Sequence, residues 1–377
     1  MNEGGKRVSW VELYLDLIFV LAVGGLAHII EAHPNMPHVW MTLGLFVTLW
    51  WTWIGFAVLY NRHGDDTRAD RLVFLAGSVP AGVAAIAIEP VSEGHFAAFA
   101  TAMALTRVVL AVANNGDRRV VRAYLGAAVL FVISIWVPSP WRFVLWAIAI
   151  GGESSEVLRE DREAKRQMRR NRDLSALGPV DPNERLDPHH FAERFGLFLI
   201  ILLGEVVIST ASAEVGDAAS WAGLAAAMVL AAALWWLYFD AAAEINLKVL
   251  ELSGGSPTMA RAIFAAGHMF PAFSLILIAS GLGLLLDGDP PTAAYWLTCV
   301  GIGIYLAGTR VFIGGRGRFI AGVRVLLLIA TFQLGRLHHA LSPHEYIWTV
   351  TAWTVMCAAL ATTDAEDTTE RFRNSGL

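Results

Sequence analysis

This sequence is short of charge, of cysteine and of nucleotide-binding or hydrolytic motifs. Charged residues make up 16% of its 377 positions, against roughly 25% in a typical soluble domain. Only two cysteines occur, Cys299 and Cys357, both within apolar runs. Neither has metal-ligand spacing, so no disulfide framework and no cysteine metal site is expected. There is no P-loop, no nucleophile elbow and no G-x-G-x-x-G behind a strand. The lack of a D-D-x-x-D motif argues against the commonest isoprenoid-diphosphate chemistry, and no cofactor is implied. A net charge of −5 offers nothing to a nucleic acid.

Hydrophobic residues are what the chain has in excess, at 56% with a mean hydropathy of +0.53 and 14 tryptophans. Tryptophan is enriched where membrane helices meet the headgroups. Apolar runs of about 18 residues or more number roughly twelve. They lie near 10–32, 38–61, 70–89, 94–114, 119–137, 141–158, 190–213, 217–244, 259–286, 291–313, 318–339 and 344–363. Pro and Gly mark the joints, as in "EAHPNMPH", "DGDPP" and "IGGRGR". The fold class this predicts is all-α, polytopic in a membrane, and membrane lipid is therefore a partner.

Arginine and lysine set the orientation. The loops at 62–71, 115–122, 159–188, 245–261 and 314–318 carry nearly all of them, as do both termini, whereas the alternate loops carry none. Only Arg142 and Arg336 sit at the opposite ends. The positive-inside rule then puts both termini in the cytoplasm of an inner-membrane protein, together with the Arg-rich linker 159–188. Lys6 and Arg7 before the first run also fit a cleaved signal peptide, but Glu12 and Asp16 within that run argue against one.

The two halves echo each other in one order. "LWWTW" from Leu49 matches "LWWLY" from Leu234, "RLVFLAG" from Arg71 matches "RAIFAAG" from Arg261, and "LTRVVL" around Arg107 matches "GTRVFI" around Arg310. "PSPW" pairs with "LSPH", and "VELYLDL" with "AERFGLF", which aligns Glu12 with Glu193. Six spans is an even number, so the expectation is two parallel repeats, 1–158 and 189–363, joined by the 159–188 linker and followed by a 364–377 tail.

The segments "VELYLDLIFVLAVGGLAHII" and "HHFAERFGLFLIILLGEVVIST" resemble the two signature segments of the bacterial low temperature requirement A (LtrA) family, with Tyr14-Leu15 where that family favours paired Phe. The resemblance spans nearly the whole chain. It implies a polytopic inner-membrane protein linked to growth at low temperature, and it implies no particular biochemical activity.

Carboxylates in an apolar run are expensive unless paired. Glu12, Asp16 and Glu193 fall on the cytoplasmic side of their runs, as do Arg71, Arg107, Arg261 and Arg310. The expectation is a belt of ion pairs, Glu12 and Asp16 with Arg71 or Arg107, and Glu193 with Arg261 or Arg310. Such a belt could gate the cytoplasmic side or position helices; the plainer alternative is that the long side chains snorkel to the headgroups.

Deeper lie Glu205, roughly 22 Å along its run at 1.5 Å per residue, and His268, just before Pro271. Pro80 interrupts the third run at a similar place, and paired interruptions point to a central site. Glu205 and His268 could bind a proton, a cation or a polar substrate group. Alternatively they are a protonated interhelical hydrogen bond and a core histidine. His189, His190 and Glu193, or His338, His339 and His344, supply no convincing ligand set, so no metal site is expected. The leading functional reading is a secondary transporter of a small solute or ion rather than an enzyme. Its rivals are an intramembrane enzyme acting on a lipid or isoprenoid, and a non-catalytic membrane scaffold.

Overall fold

Short polar residues start several of the helices. Ser9 and Glu12 form a Ser-x-x-Glu capping box at the head of α1 (Trp10–Ala32): the Ser9 N–H donates to Glu12 Oε2 at 3.0 Å, and the Glu12 N–H donates to Ser9 Oγ at 3.4 Å. Thr67 and Asp70 do the same for α3 (Arg68–Ile86). The Asp117 carboxylate accepts from two amides at the head of α6 (Arg118–Ser134), and Asp187 does so for α8 (Pro188–Ala211). The capping boxes lie next to Trp10 and Arg68, so the same residues that end a loop also begin an apolar helix.

The computed structural model describes residues 7–159, 186–211, 218–240, 242–287, 289–309 and 318–374. Among these the chain is helical, with no strand. Between the helices already named run α2 (Met36–His63), the short α4 (Ile88–Ser92), α5 (Ala97–Ala113) and α7 (Trp141–Arg159). After α8 come α9 (Ala218–Phe239), α10 (Ala243–Leu252) and α11 (Pro257–Ala260), which runs into a π-helical turn at Arg261–Ala265. The chain continues through α12 (Met269–Leu286), α13 (Thr292–Gly308), α14 (Arg318–Gln333), a 3-10 segment (Leu334–His339) and α15 (Pro343–Asn374). Five stretches among the described residues are long and apolar enough to cross a membrane: Trp10–Ala32, Met36–His63, Arg68–Ile86, Ser220–Leu252 and Arg261–Leu286. Large apolar side chains stand outward on these and other helices, including Leu17, Leu72, Val79, Ile86 and Ile208, as lipid contact requires.

The chain forms two compact units. The first comprises 1–26, 42–195 and 247–265, and the second 27–41, 196–246 and 266–377. In the first, α3, α5, α6 and α7 pack in chain order. Gly77 faces the Phe56 ring so closely that any Cβ would collide with it. In the second, α12 packs along α13, and α9 along α15. Gly281 and Gly301 bring the α12–α13 pair together: a Cβ on Gly301 would meet Ser274 O at 3.0 Å, and one on Gly281 would meet Thr298 N at 2.8 Å.

The two prolines singled out in the sequence are not equivalent. Pro80 lies inside the continuous helix α3, whereas Pro271 sits in the first turn of α12, after the π-helical turn and a break at 266–268. A proline in a first turn costs no hydrogen bond, so the ninth apolar run is broken where the third is not.

Candidate functional site

The first unit buries a cluster of charged and polar side chains among aromatic rings. Glu12 and Asp16, one turn apart on α1, are both 0% exposed. Their partners come from α8: Arg194 Nη1 donates to Glu12 Oε1, and Nη2 donates to Asp16 Oδ1 at 3.0 Å. His190, one turn before Arg194, places Nε2 3.1 Å from Glu12 Oε2. From α2, the Trp53 indole N–H donates to Asp16 Oδ1 at 2.6 Å. The Arg194 guanidinium lies 5.4 Å from the Trp53 ring.

An Asn holds the histidine. Asn61 Oδ1 accepts from the Asp187 amide at 3.0 Å, and Asn61 Nδ2 lies 3.1 Å from Asp187 O and 3.0 Å from His190 Nδ1. Tyr60 stacks on the imidazole with centroids 5.7 Å apart. Three helices thus each supply one side of the cluster, and the cap residue Asp187 that begins α8 also fixes Asn61.

A second buried pair is complete in itself. Arg107 grips Glu153 with two parallel bonds, Nη2 to Oε1 at 2.8 Å and Nε to Oε2 at 3.2 Å. Its Nη1 donates to Thr52 Oγ1 at 2.6 Å, and the Phe131 ring covers the guanidinium at 4.9 Å. Every partner is matched, which marks this pair as a clasp between α5 and α7.

The expected belt is therefore re-paired. Arg194, rather than Arg71 or Arg107, meets Glu12 and Asp16. Arg71 instead forms an exposed pair with Asp66 at 2.7 Å, and that hydrogen bond holds the Asp66 carboxyl below its usual range. Glu193 is exposed, and so are Asp240 and Glu244. Arg261 is buried in the π-helical turn and, with Arg62, Arg107 and Glu153, bears electrostatically on Tyr124. Arg310 lies outside the described residues. Helical phasing explains the exchange of Glu193 for Arg194: Phe191, Phe195, Phe198 and Leu202 are the buried stripe of α8, and Arg194 lies on it while Glu193 faces away.

In the second unit Glu205 and His268 have different neighbours. Glu205 is 9% exposed and shares an electrostatic environment with Glu31. The Glu31 carboxylate also lies 3.9 Å from His28 and senses Asp287. His268 is buried, with Nε2 2.9 Å from the Tyr238 hydroxyl. Glu31 and Tyr238 are absent from the sequence reading. The "LWWLY" repeat that contains Tyr238 was a usable signal, because its counterpart in "LWWTW" is Trp53, the donor to Asp16. His189 pairs with Glu251 at 2.9 Å. Among the described residues no group of three or more His, Cys, Asp or Glu side chains is placed to hold a metal ion.

The family model described as bacterial low temperature requirement A protein (LtrA) matches residues 7–362. An uncharacterized protein of Rhizobium meliloti (strain 1021) is 25% identical over 329 residues, 82% of this chain and 77% of that protein. No solved structure matches the chain. With nearly its whole length matched, the chain belongs to the LtrA family.

Proposed function

We propose that this LtrA-family chain is a secondary transporter of a small solute or ion that supports growth at low temperature. It spans the inner membrane twelve times as two parallel six-helix repeats, with both termini in the cytoplasm. The observation that carries the reading is the buried Glu12–Asp16–Arg194–His190 cluster. Charges inside an apolar helix bundle are costly and mark ion or substrate pathways by default. A passive scaffold would be held as well or better by apolar packing at those positions. The cluster ties the heads of α1 and α8, the first helix of each repeat, so breaking and remaking it is a cytoplasmic gate. Glu205 and His268 are the substrate or proton groups of the second unit, both buried, with the Tyr238 hydroxyl 2.9 Å from His268 Nε2.

The test compares soluble metabolites and lipids of cells with and without the gene, at low and normal temperature. One soluble solute should change its distribution between cells and medium, restored by the wild-type gene and not by Glu205→Gln at equal membrane abundance. Changes confined to lipids would replace this reading with the lipid-enzyme one. No change in either class would leave the scaffold.

A further inference from the structure

The hydrogen bonds of the buried cluster decide where its protons are. Asn61 Oδ1 is occupied by the Asp187 amide, so the group it turns towards His190 is its NH2. A donor facing Nδ1 makes Nδ1 an acceptor, and the ring proton then sits on Nε2, where it is donated to Glu12. His190 is therefore neutral. The cluster counts two carboxylates against one guanidinium.

The two carboxylates are treated differently. Glu12 accepts from Arg194, from His190 and from the Ser9 amide, the surroundings of an ionised group. Asp16 receives both of its donors, Trp53 and Arg194, on Oδ1, while its buried Oδ2 has no hydrogen-bond partner among the described residues. An ionised carboxylate buried with one oxygen that accepts nothing costs more than the neutral acid, even though the O–H of the acid also meets no acceptor among the described residues. Among the described residues, the other side chains shown against the cluster are aromatic and carry no positive charge. Tyr60 stacks on His190, Trp53 donates to Asp16, and Phe74 lies 6.0 Å from the Arg194 guanidinium.

We infer that Asp16 holds the resident proton of this cluster on Oδ2, with Glu12 ionised against Arg194. The cluster is then neutral, and its carboxylic acid proton lies one turn inside α1. Use of that proton as the coupling ion rests on the transport reading above; its presence does not.

Infrared spectroscopy of the purified full-length protein tests the assignment. At neutral pH a protonated carboxyl C=O band should be present, shift in D2O and disappear in Asp16→Asn. In wild-type protein, carbon-13 in the aspartate carboxyls should shift the same band, a measurement that needs no variant. A spectrum with no protonated aspartate, or a band unchanged by Asp16→Asn, overturns the assignment. In proteoliposomes enclosing a pH-reporting dye, an imposed pH gradient should drive a proton flux that Asp16→Asn abolishes. The aspartate band without such a flux overturns the coupling role alone.

Discussion

Replacing Glu12 and Asp16 by their amides, one at a time, should separate an ionised carboxylate from a neutral one. Glu12→Gln removes the negative charge that offsets Arg194 and weakens the acceptor for His190 and Ser9. Leaving one member of a buried ion pair uncompensated costs about 3–5 kcal/mol, and both partners here are 0% exposed. Asp16→Asn is nearly isosteric with the protonated acid. Its Oδ1 keeps the bonds from Trp53 and Arg194, so the cost should stay at about 1–3 kcal/mol, the penalty of an amide N–H buried without an acceptor. Adding Arg194→Gln to Glu12→Gln should recover part of the loss, with a coupling of about 0.5–3 kcal/mol, while adding it to Asp16→Asn should make matters worse. The assay is thermal unfolding in detergent, followed by the loss of the monodisperse peak on size exclusion. Equal destabilisation by the two amides, or a larger loss with Asp16→Asn, would refute the charge assignment.

The clasp between α5 and α7 should behave as a unit: Arg107→Gln or Glu153→Gln should each cost about 3–5 kcal/mol, and the double variant should cost less than their sum, read by the same unfolding assay. Gly301→Ala should destabilise by about 1–3 kcal/mol because its Cβ would press on the Ser274 carbonyl at 3.0 Å, backbone that cannot rotate away; Gly44→Ala, whose Cβ meets nothing within 4 Å, is the control. Glu205→Gln should leave membrane abundance normal and fail to restore cold growth to a deletion strain, and normal growth at normal abundance would remove Glu205 from the mechanism. With Cys299 and Cys357 replaced, single cysteines at Ala32 and Ala218 should react with an impermeant thiol reagent on intact cells while one at Ala176 should not; labelling at Ala176 would overturn the proposed orientation.

Composition and periodicity were enough to establish a helical chain with apolar helices long enough to cross a membrane. In lipid a backbone is satisfied within a helix or around a closed barrel, and continuous apolar runs of about 18 residues or more suit helices rather than the shorter strands of a barrel. The signature segments around Glu12 and Glu193 were likewise enough for the family, because they are local strings. The start of α1 could also have been read from Ser9-x-x-Glu12, since a capping box closes within four residues. Pairing was not. Ser9 and Glu12 sit in one turn, but Arg194 is 182 residues from Glu12, and no local pattern says which of several arginines will arrive there. The buried stripe of α8 could have favoured Arg194 over Glu193. Only packing shows that His190 and Arg194 meet α1, that Asn61 fixes the His190 tautomer, and that one oxygen of Asp16 has no partner among the described residues. Charge on a membrane helix can be read from the sequence, but the protonation state of that charge depends on which donors surround it, and tertiary structure alone supplies those.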